Sequence, residues 1–497
     1  MYKIRVVRTS SGASAVQVIR YENRKRIVYK HIGSAHTSDD LQALKDIAKC
    51  VIDEASKQLA LFESGKKSNK FISLEQSEFL GVHYLFLYES LSCVCRQIGL
   101  DSVGNKFLMD LVIIRIVEPA SKVRSIELLE EYFGIRHRRQ NYYKSIHDWV
   151  DLKSNFENII TAFAQKEYGF DYNLVFYDVT TLYFETFKAD ELRDTGFSKD
   201  NKPKQPQVVV ALMVTKDGFP IGYKVFNGST FEGHTLIPVI ASFKNKHQIN
   251  HFTVVADAAM ISAENVRELL ESGVHYIVGA RLGNLSGKII NKIDKELKRE
   301  DGSLIRFKTD NGDLICSFSS LRYRKDEYEM KKQIERAQQT IAQPSKAKKL
   351  KFTKSINQNL VLNEGLIEKN KKLLGIKGYY TDLQQEDVPS STIIDRYHEL
   401  YKIEQAFRIS KHDLRTRPIF HYKEPAVQLH LLICFMALAA SKHIELKSGK
   451  SIKSFINASK KVQDARMLNL ITQKESRIRS KYDAQITHFI EKLSLPH

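Results

Sequence analysis

Five short apolar segments follow one another between residues 170 and 283, and they constrain the fold more than any other feature. The segments are NLVFYDV (173–179), QVVVALMVT (207–215), FPIGYKVF (219–226), FTVVAD (252–257) and HYIVGA (275–280). Helical periodicity occupies 235–246 and 262–272, and KDG at 216–218 has the composition of a hairpin turn. The order strand, strand, strand, helix, strand, helix, strand predicts a mixed α/β sheet.

The segments on either side of this sheet divide the chain further. Residues 1–33 alternate with the two-residue period of strands, and Thr37 and Ser38 are residue types that favour a helix N-terminus. Helical periodicity continues to about residue 165, and a long helix is predicted from about residue 391. The predicted divisions are 1–70 (a basic antiparallel β piece plus a helix), 71–165 (helical), 166–283 with 375–446 (the α/β sheet domain), 284–374 (an inserted basic domain) and 447–497 (a helical C-terminal tail).

The net charge restricts the partners that suit this protein. Its 497 residues include 77 Lys and Arg against 58 Asp and Glu, which is a formal charge of +19 at neutral pH. Such an excess favours a polyanionic partner. A composition with 42% hydrophobic residues and only 10 Pro excludes collagen-like and largely disordered chains.

Cysteine usage and the apolar runs predict a cytoplasmic protein. The five cysteines are scattered and have no zinc-ligand spacing, which is typical of a reduced compartment. The first residues, MYKIRVVR, lack the apolar core of a signal peptide. The longest apolar run, at 431–440, is half of the roughly 20 residues that a bilayer span requires, so it is predicted as a buried helix and no membrane contact is expected.

Two aspartates stand at the carboxyl ends of apolar segments. Asp178 lies in FYDVTTLYFE and Asp257 in TVVADAAM, and open α/β sheets carry functional groups at this edge. A buried carboxylate requires a partner, and two on neighbouring strands would form a negative pocket in a basic protein. Carboxylate oxygens are ligands that Mg²⁺ prefers, so a divalent metal site is one interpretation. The other is that each aspartate caps the turn after its strand.

Glu404 is a third acidic candidate, on the predicted long helix in DRYHELYKIEQAFRISKHDLRTRP. Glu404, Arg408 and Lys411 are spaced at i, i+4 and i+7 and are predicted to share one face. That face either contributes to the acidic pocket or is a solvated surface with a Glu/Arg pair.

Three blocks in a fixed order carry a family resemblance. The signature Y-x2-R-x3-E-x6-K is matched by Tyr397, Glu404 and Lys411, with Leu400 in place of the arginine. The other two blocks are GFSKDNKPKQPQVVVALMVTKDGFPIGYKVFNGSTFEGHT after the first aspartate and VVADAAMISAENVRELLESGVHYIVGAR around the second. Together they resemble the DDE transposases of bacterial insertion sequences, in particular the IS4-like group and its IS1634-type branch.

The resemblance implies an α/β fold in which 166–283 and 375–446 form a ribonuclease H-like catalytic domain. An insertion would precede the glutamate helix, and the small β piece and the helical domain would come first. Asp178, Asp257 and Glu404 would be catalytic and would hold two Mg²⁺ ions, for which Mn²⁺ can substitute.

The activity that the resemblance implies is cut-and-paste DNA transposition. The protein would bind the terminal inverted repeats of its own element, hydrolyse the ends and join the freed 3′-hydroxyls to target DNA. Its partners would be DNA and further copies of the chain, in a homodimer or a higher synaptic complex. The expected location is the bacterial cytoplasm, in association with the nucleoid.

Several residues are candidates for DNA contact. The resemblance implies that Arg408 and Lys411 face backbone phosphates and that Tyr397 contacts DNA, although a tyrosine beside an apolar stripe also suits a core. The other candidates are Arg136, Arg138 and Arg139 in the basic turn of the helical domain, Lys346, Lys348 and Lys349 in the inserted segment, and Arg396, which lies one turn before Leu400 and is expected to replace the missing arginine. A solvated surface is the alternative for the basic turn and for Arg396.

Two other functions remain open from the sequence. One is a DDE-type nuclease that cuts without strand transfer, and the other is an element-derived DNA-binding protein without catalysis. The presence of all three acids in recognisable blocks favours an enzyme. Inverted repeats bracketing the gene would favour a mobile element.

Overall fold

The computed structural model describes residues 2–10, 12–22, 25–57, 77–260, 262–342, 350–356, 359–470 and 473–496. The chain divides into two compact units, Met1–Val82 with Asp464–Arg479 and His83–Gln463 with Ser480–His497. Strands and helices are numbered along the whole chain.

The first unit contains two antiparallel sheets and a helix. Its elements are β1 (Tyr2–Arg8), β2 (Ser14–Glu22), β3 (Lys25–Ala35), α1 (Ser38–Lys57), β4 (Ser77–His83), β15 (Asp464–Asn469) and β16 (Glu475–Arg479). The sheet β1-β2-β3 packs against α1 through a small core that includes Val16, Val18 and Leu44. Thr37 Oγ1 accepts a hydrogen bond from the Asp40 backbone N–H at 3.2 Å, which satisfies a free donor in the first turn of α1.

The second sheet of this unit, β16-β15-β4, differs from the sequence predictions at two places. β4 lies inside the stretch predicted to be helical, 71–165, and β15 with β16 forms a hairpin inside 447–497, so the prediction of an entirely helical tail is wrong. Arg466 pairs across the hairpin with Glu475 at 2.8 Å. Charged residues of this kind suit an exposed helix as well as an exposed hairpin, so residue type alone does not distinguish the two.

The second unit begins with a group of helices. They are α2 (Leu85–Ile98), α3 (Lys106–Val117), α4 (Lys122–Phe133), α5 (Arg139–Lys144), α6 (Ile146–Asp151) and α7 (Lys153–Tyr168). Apart from its first residue, α3 is buried along its whole length, because its sequence is apolar almost throughout. Its one acid, Asp110, is fully buried and accepts hydrogen bonds from Tyr88 Oη, Lys106 Nζ and His137 Nε2, each at 2.7 Å. These charge-assisted bonds compensate the burial of the carboxylate.

An eight-stranded mixed sheet forms the centre of the second unit. Its strands, in spatial order, are β10 (Leu304–Thr309), β11 (Gly312–Phe318), β14 (Ile376–Thr381), β9 (Val274–Ala280), β8 (Phe252–Ala256), β5 (Leu174–Tyr183), β6 (Gln207–Val214) and β7 (Pro220–Asn227). Pairing is parallel from β9 through β8 to β5 and antiparallel elsewhere. The helix α8 (Leu236–His247) leads from β7 to β8, and α9 (Ala263–Glu271) connects the parallel strands β8 and β9. The predicted mixed α/β sheet is confirmed.

The hairpin between β6 and β7 also forms where the sequence predicts it. Gly218 adopts a φ of +77° there, a conformation that glycine reaches without steric cost.

The segment predicted as an inserted domain, 284–374, is partly built into the central sheet. Besides β10 and β11 it contains α10 (Gly287–Glu296), α11 (Ser320–Ala342), β12 (Thr353–Ile356), β13 (Asn359–Leu362) and α12 (Glu364–Lys371). β10 and β11 extend the sheet beyond β14, and Leu314 and Ile315 of β11 are fully buried in the main core. This part of the segment is therefore an extension of the sheet rather than a separate domain. Phe352 and Ile367 belong to a second, smaller core.

The long helix predicted from about residue 391 is interrupted. α13 (Ser390–His398) and α14 (Tyr401–Arg408) are separated by a short turn, and a π-helical turn, Ile409–Asp413, follows α14. The remaining helices are α15 (Glu424–Ser448), α16 (Ile452–Ser459) and α17 (Ala484–Leu493).

α15 is apolar around most of its circumference. In the described part of the chain it is the one helix long and apolar enough to cross a membrane, and 94% of its most apolar stretch is buried inside the protein. Every residue from Leu431 to Ala440 is buried, so the prediction of a buried helix is confirmed. Burial within the protein accounts for its apolar composition.

Candidate active site

Parallel pairing brings the two predicted aspartates to neighbouring positions. Tyr177 of β5 lies opposite Ala256 of β8, so Asp178 and Asp257 are the next residues along adjacent strands. Because parallel strands run in the same direction, the two carboxylates lie on the same side of the sheet edge where β8 ends. β5 continues to Tyr183, so Asp178 is inside its strand, whereas the sequence places it at the end.

Both aspartates accept a hydrogen bond from the next residue along the chain. Asp178 Oδ1 accepts from the Val179 N–H and Asp257 Oδ1 from the Ala258 N–H, each at 2.7 Å. A 3₁₀ turn, Ala258–Met260, follows Asp257, but a capping side chain accepts from the N–H two or three residues on, and the structure records no such bond for either aspartate in the described residues. No hydrogen bond from the described residues reaches either Oδ2, so one oxygen of each carboxylate is left for other chemistry.

Asp178 shares its surroundings with a lysine and a further acid. The Lys199 ammonium lies 3.9 Å from Asp178 Oδ1 and 3.0 Å from Glu232 Oε1. Burial raises the pKa of Asp178 from 3.8 to about 6, against the opposing effect of Lys199 and with smaller contributions from Asp257 and Glu232 in the same direction. A nearby cation stabilises the ionised form of a carboxylate whose pKa is raised in this way.

Asp257 and Glu404 are connected through two side chains that face both of them. Tyr397 Oη donates a hydrogen bond to Asp257 Oδ1 at 3.3 Å, and the Lys377 ammonium lies 4.6 Å from the centre of the Tyr397 ring. Burial raises the pKa of Tyr397, and the carboxylates of Asp257 and Glu404 add to that shift. Burial lowers the pKa of Lys377, and the same two carboxylates oppose it. The second aspartate and the glutamate therefore share one electrostatic environment.

α14 presents Glu404 on its exposed side because Ile403 and Ala406 are buried against the core. Arg408 is exposed one turn later. Glu404 and Arg408 form no ion pair with each other, and neither pairs with another residue that the structure describes. The alternative of a surface Glu/Arg pair is therefore not observed.

The carboxylate oxygens of this site are suitable ligands for a hard divalent cation. Carboxylate oxygens are the ligands that Mg²⁺ prefers, and Glu232 beside Asp178 supplies a further carboxylate, whose Oε1 has the Lys199 ammonium 3.0 Å away as its close partner. The fit is incomplete, because no three His, Cys, Asp or Glu side chains in the described ranges are gathered closely enough to enclose a metal ion. Asp178 and Asp257 are neighbours on adjacent strands, and the structure does not gather Glu404 with them into a three-acid cluster.

A family model described as the transposase DDE domain matches residues 169–440, which is more than half of the chain and includes all three acids. The chain belongs to this transposase family. A comparison with curated protein sequences finds no match.

Two solved transposase structures are similar to this transposase at low identity. One is a piggyBac transposase synaptic complex with hairpin DNA, at 11% identity over 88% of this chain and 74% of that chain, with a TM-score of 0.35. The other is a Mos1 transposase paired-end complex with the left transposon end, at 10% identity over 47% of this chain and 66% of that chain, with a TM-score of 0.16. Neither likeness is close enough to extend to this chain's activity.

Leu400, which stands where the family signature has an arginine, is a core residue of this transposase. It is 7% exposed and packs in the main core, and Tyr397 is 6% exposed. An arginine at position 400 would bury an unpaired charge, so the lost arginine cannot be restored by a Leu400→Arg change without destabilising the fold. Arg396 is half-buried and makes no ion pair with a described residue, so its role in DNA contact stays a prediction.

The signature lysine, Lys411, is held by an acid that sequence reasoning does not identify. Lys411 Nζ lies 3.2 Å from Asp200 Oδ1, and Arg417 Nε lies 3.1 Å from the same oxygen. Lys411 belongs to the π-helical turn, in which each backbone hydrogen bond joins residues five apart instead of four apart. The prediction that it shares a regular helix face with Glu404 is therefore wrong.

The basic turn of the helical region is anchored from one side and exposed on the other. His137 stacks on Phe107, with ring centres 3.9 Å apart, and bonds to the buried Asp110. Its neighbours Arg136, Arg138 and Arg139 are all exposed. The three predicted DNA contacts thus have a fixed base.

Two of these arginines have weak partners of their own. Arg136 pairs with Glu130 at 2.7 Å, and the Arg139 guanidinium lies 5.5 Å from the centre of the exposed Tyr143 ring. Both partners are solvent-exposed, and such pairs contribute little to stability. The arginines can therefore exchange them for phosphates.

Replacing Arg136, Arg138 and Arg139 together with alanine is expected to weaken DNA binding and to flatten its salt dependence. Each lost phosphate contact removes about 0.9 from the slope of log affinity against log salt concentration. The measurement is a salt titration of DNA binding, with Arg124→Ala as the control because Arg124 is an exposed arginine of the same helical region outside the turn. A slope that does not change would assign the turn to the solvated surface.

The predicted basic contacts Lys346, Lys348 and Lys349 lie outside the described residues.

Four further charged residues contact or influence the predicted site residues. Lys199 and Asp200 come from the GFSKDN block and Glu232 from FEGHT, both within the segments that carry the family resemblance, and Lys377 is the second residue of the apolar strand β14. The signal available in the sequence is the presence of opposite charges inside these blocks. It does not indicate which acid each lysine meets, because the partners are far apart along the chain.

Proposed function

We propose that the chain is a DNA transposase of the IS4-like group, closest to its IS1634-type branch. It binds the terminal inverted repeats of its own insertion sequence, cleaves the ends by Mg²⁺-dependent hydrolysis and joins the 3′-hydroxyls to target DNA by cut-and-paste. The observation that carries the proposal is the pairing of Asp178 and Asp257 on adjacent parallel strands inside the segment that matches the transposase DDE domain.

A ribonuclease H-like arrangement of the catalytic domain is part of this proposal. It is supported by the parallel pairing of β5 with β8 in an otherwise largely antiparallel sheet, and by the location of the third acid on a helix that follows β14, the last strand of the central sheet in chain order.

The metal would be held by Asp178, Asp257 and Glu404. When bound, two Mg²⁺ ions supply activation of a water or 3′-hydroxyl oxygen and neutralise charge on the leaving oxygen. Because phosphoryl transfer of this kind requires no covalent protein nucleophile, carboxylates suffice as the catalytic groups. The free Oδ2 atoms of both aspartates support this role.

The remaining side chains orient the acids and hold the substrate. The Tyr397 hydroxyl donates to Asp257 Oδ1, which restricts rotation of that carboxylate. Lys377 carries positive charge beside Asp257 and Glu404, where it lowers the repulsion between the two acids. Arg408 is exposed next to Glu404 on α14 and is available to a backbone phosphate near the scissile bond.

The partners in this proposal are DNA and other copies of the chain. The formal charge of +19 supports binding to the DNA backbone. Holding two element ends together requires at least a homodimer or a higher synaptic complex, because each end needs its own bound copy of the chain. The location would be the bacterial cytoplasm, in association with the nucleoid.

The function is tested by incubating the full chain with Mg²⁺ and a DNA duplex carrying the ends that flank its own gene. We expect 3′-hydroxyl products at the ends, followed by their covalent joining to a target plasmid. Asp257→Asn is the matched control, since it keeps the size and the accepted hydrogen bond but removes the charge.

Each alternative function gives its own result in the same assay. Cleavage without joined products would indicate a nuclease. Binding of the ends without any cleavage by the wild type would indicate an element-derived DNA-binding protein, and would contradict the proposal.

A further inference from the structure

A lysine side chain occupies the space beside the first aspartate, and its position is set by the strand that carries that aspartate. Lys199 lies in the loop between β5 and β6. Its backbone N–H donates to Thr181 Oγ1 at 3.0 Å, and its ammonium donates to the Val179 carbonyl oxygen at 2.7 Å. Both acceptors belong to β5, so the two hydrogen bonds fix the backbone and the ammonium of Lys199 against that strand.

The Lys199 ammonium lies between two carboxylates. It is 3.0 Å from Glu232 Oε1 and 3.9 Å from Asp178 Oδ1, and the side chains of these acids are 18% and 17% exposed. Glu232 is carried by a 3₁₀ turn, Glu232–Thr235, at the start of α8. The lysine side chain is itself 31% exposed, so solvent and solutes reach the ammonium.

The charges at this place do not balance. Asp178, Glu232, Asp257 and Glu404 contribute four carboxylates, whereas Lys199 and Lys377 contribute two ammonium groups. The excess of negative charge attracts a further cation, and an ion with two charges gains more from the same carboxylates than an ammonium does.

We propose that Lys199 is a built-in counter-ion of the acidic site, which neutralises Asp178 and Glu232 in the metal-free protein and is displaced or repelled when a divalent cation binds. The proposal rests on the metal role of Asp178 in the proposed function. Lys199 is a positioning residue that sets the affinity of the site for metal, and Glu232 is the acid that retains the lysine nearby.

Two observations favour this role over a purely structural one. The ammonium makes a single hydrogen bond to the backbone, and its other close partners are carboxylates rather than carbonyl groups of the fold. Lys199 is also partly exposed, so its ammonium can move into solvent when a divalent cation takes its place beside the carboxylates.

The test is divalent-metal binding, measured without DNA by the electron paramagnetic resonance signal of free Mn²⁺. Lys199→Met removes the charge and keeps an unbranched side chain, and we expect it to bind Mn²⁺ at least about fivefold more tightly than the wild type. Lys202→Met is the matched control, because Lys202 is an exposed lysine of the same loop whose ammonium lies over the Tyr183 ring. It should bind Mn²⁺ as the wild type does.

Thermal unfolding supplies a second readout. Without metal, Lys199→Met should melt at a lower temperature than the wild type, because two poorly solvated carboxylates lose their counter-ion. Mn²⁺ should then raise the melting temperature of this variant more than that of the wild type. If the variant is unfolded without metal, saturating Mn²⁺ should restore the folded state, and failure to do so would overturn the proposal.

Asp178→Asn separates this inference from the proposed function. If Asp178→Asn binds Mn²⁺ as tightly as the wild type, the metal site itself is wrong and the counter-ion role falls with it. If Asp178→Asn loses Mn²⁺ binding while Lys199→Met matches the wild type, the metal site stands and only the role of Lys199 is refuted.

Discussion

Asp178→Ala, Asp257→Ala and Glu404→Ala are each expected to abolish strand cleavage while leaving binding to the element ends near the wild-type level. The acids are proposed to hold the metal ions, which supply several kcal/mol of transition-state stabilisation, so each loss should reduce the cleavage rate by at least about a hundredfold. Binding should persist because carboxylates contribute no attraction to phosphate. The measurements are single-turnover cleavage and a gel-shift titration with the same end fragment.

Asp395→Ala is a suitable control for these three variants. Asp395 is an exposed acid on α13, close in sequence to Tyr397 but without an ion pair to a described residue. The Asp395→Ala variant should cleave the end fragment at the wild-type rate. Cleavage that survives one of the three alanine changes would exclude that acid from the catalytic set.

Asp178→Asn is expected to stabilise the metal-free protein at neutral and alkaline pH. The pKa of Asp178 is raised from 3.8 to about 6, so the folded state holds the proton more strongly than the unfolded state. The stability that the protonated Asp178 allows is therefore fully present below about pH 4, and it is lost as the pH rises through 6 and the group ionises. Above that pH the ionised group costs about 3 kcal/mol, which the neutral asparagine does not incur.

The measurement is chemical unfolding in the presence of a chelator between pH 4 and pH 8. The wild type and Asp178→Asn should have equal stability at pH 4, and the variant should become the more stable of the two as the pH rises. Asp387→Asn, an exposed acid, should follow the wild type throughout. A difference between wild type and Asp178→Asn that does not depend on pH would contradict the raised pKa.

Local sequence patterns predict the centre of this fold well. The parallel strands β5, β8 and β9 are nearly continuous apolar runs, because both of their faces are covered, and runs of that kind read clearly as strands. α15 is recognisable for the same reason. The β6–β7 hairpin is marked by Gly218 at a position that requires a positive φ.

The predictions fail where the residues are polar and exposed. The hairpin β15–β16 is built from charged residues that suit a helix equally, and β10 is a short strand with half-buried side chains inside a charged segment. The break between α13 and α14 and the π-helical turn after α14 have no proline or glycine to mark them. Their cause is tertiary packing, which local propensity does not reveal.

The candidate site divides in the same way. Residues close together in the chain suffice to show that Asp178 and Asp257 belong to apolar strand segments and that Glu404 lies in a recognisable block. The pairing of charges is visible in the tertiary structure alone: Lys199 lies beside Asp178 and Glu232, and the charges of Asp257 and Glu404 act on Lys377. The physical reason is that burial and pairing across distant segments set the cost of each charge, and neither quantity is encoded in any one local stretch of sequence.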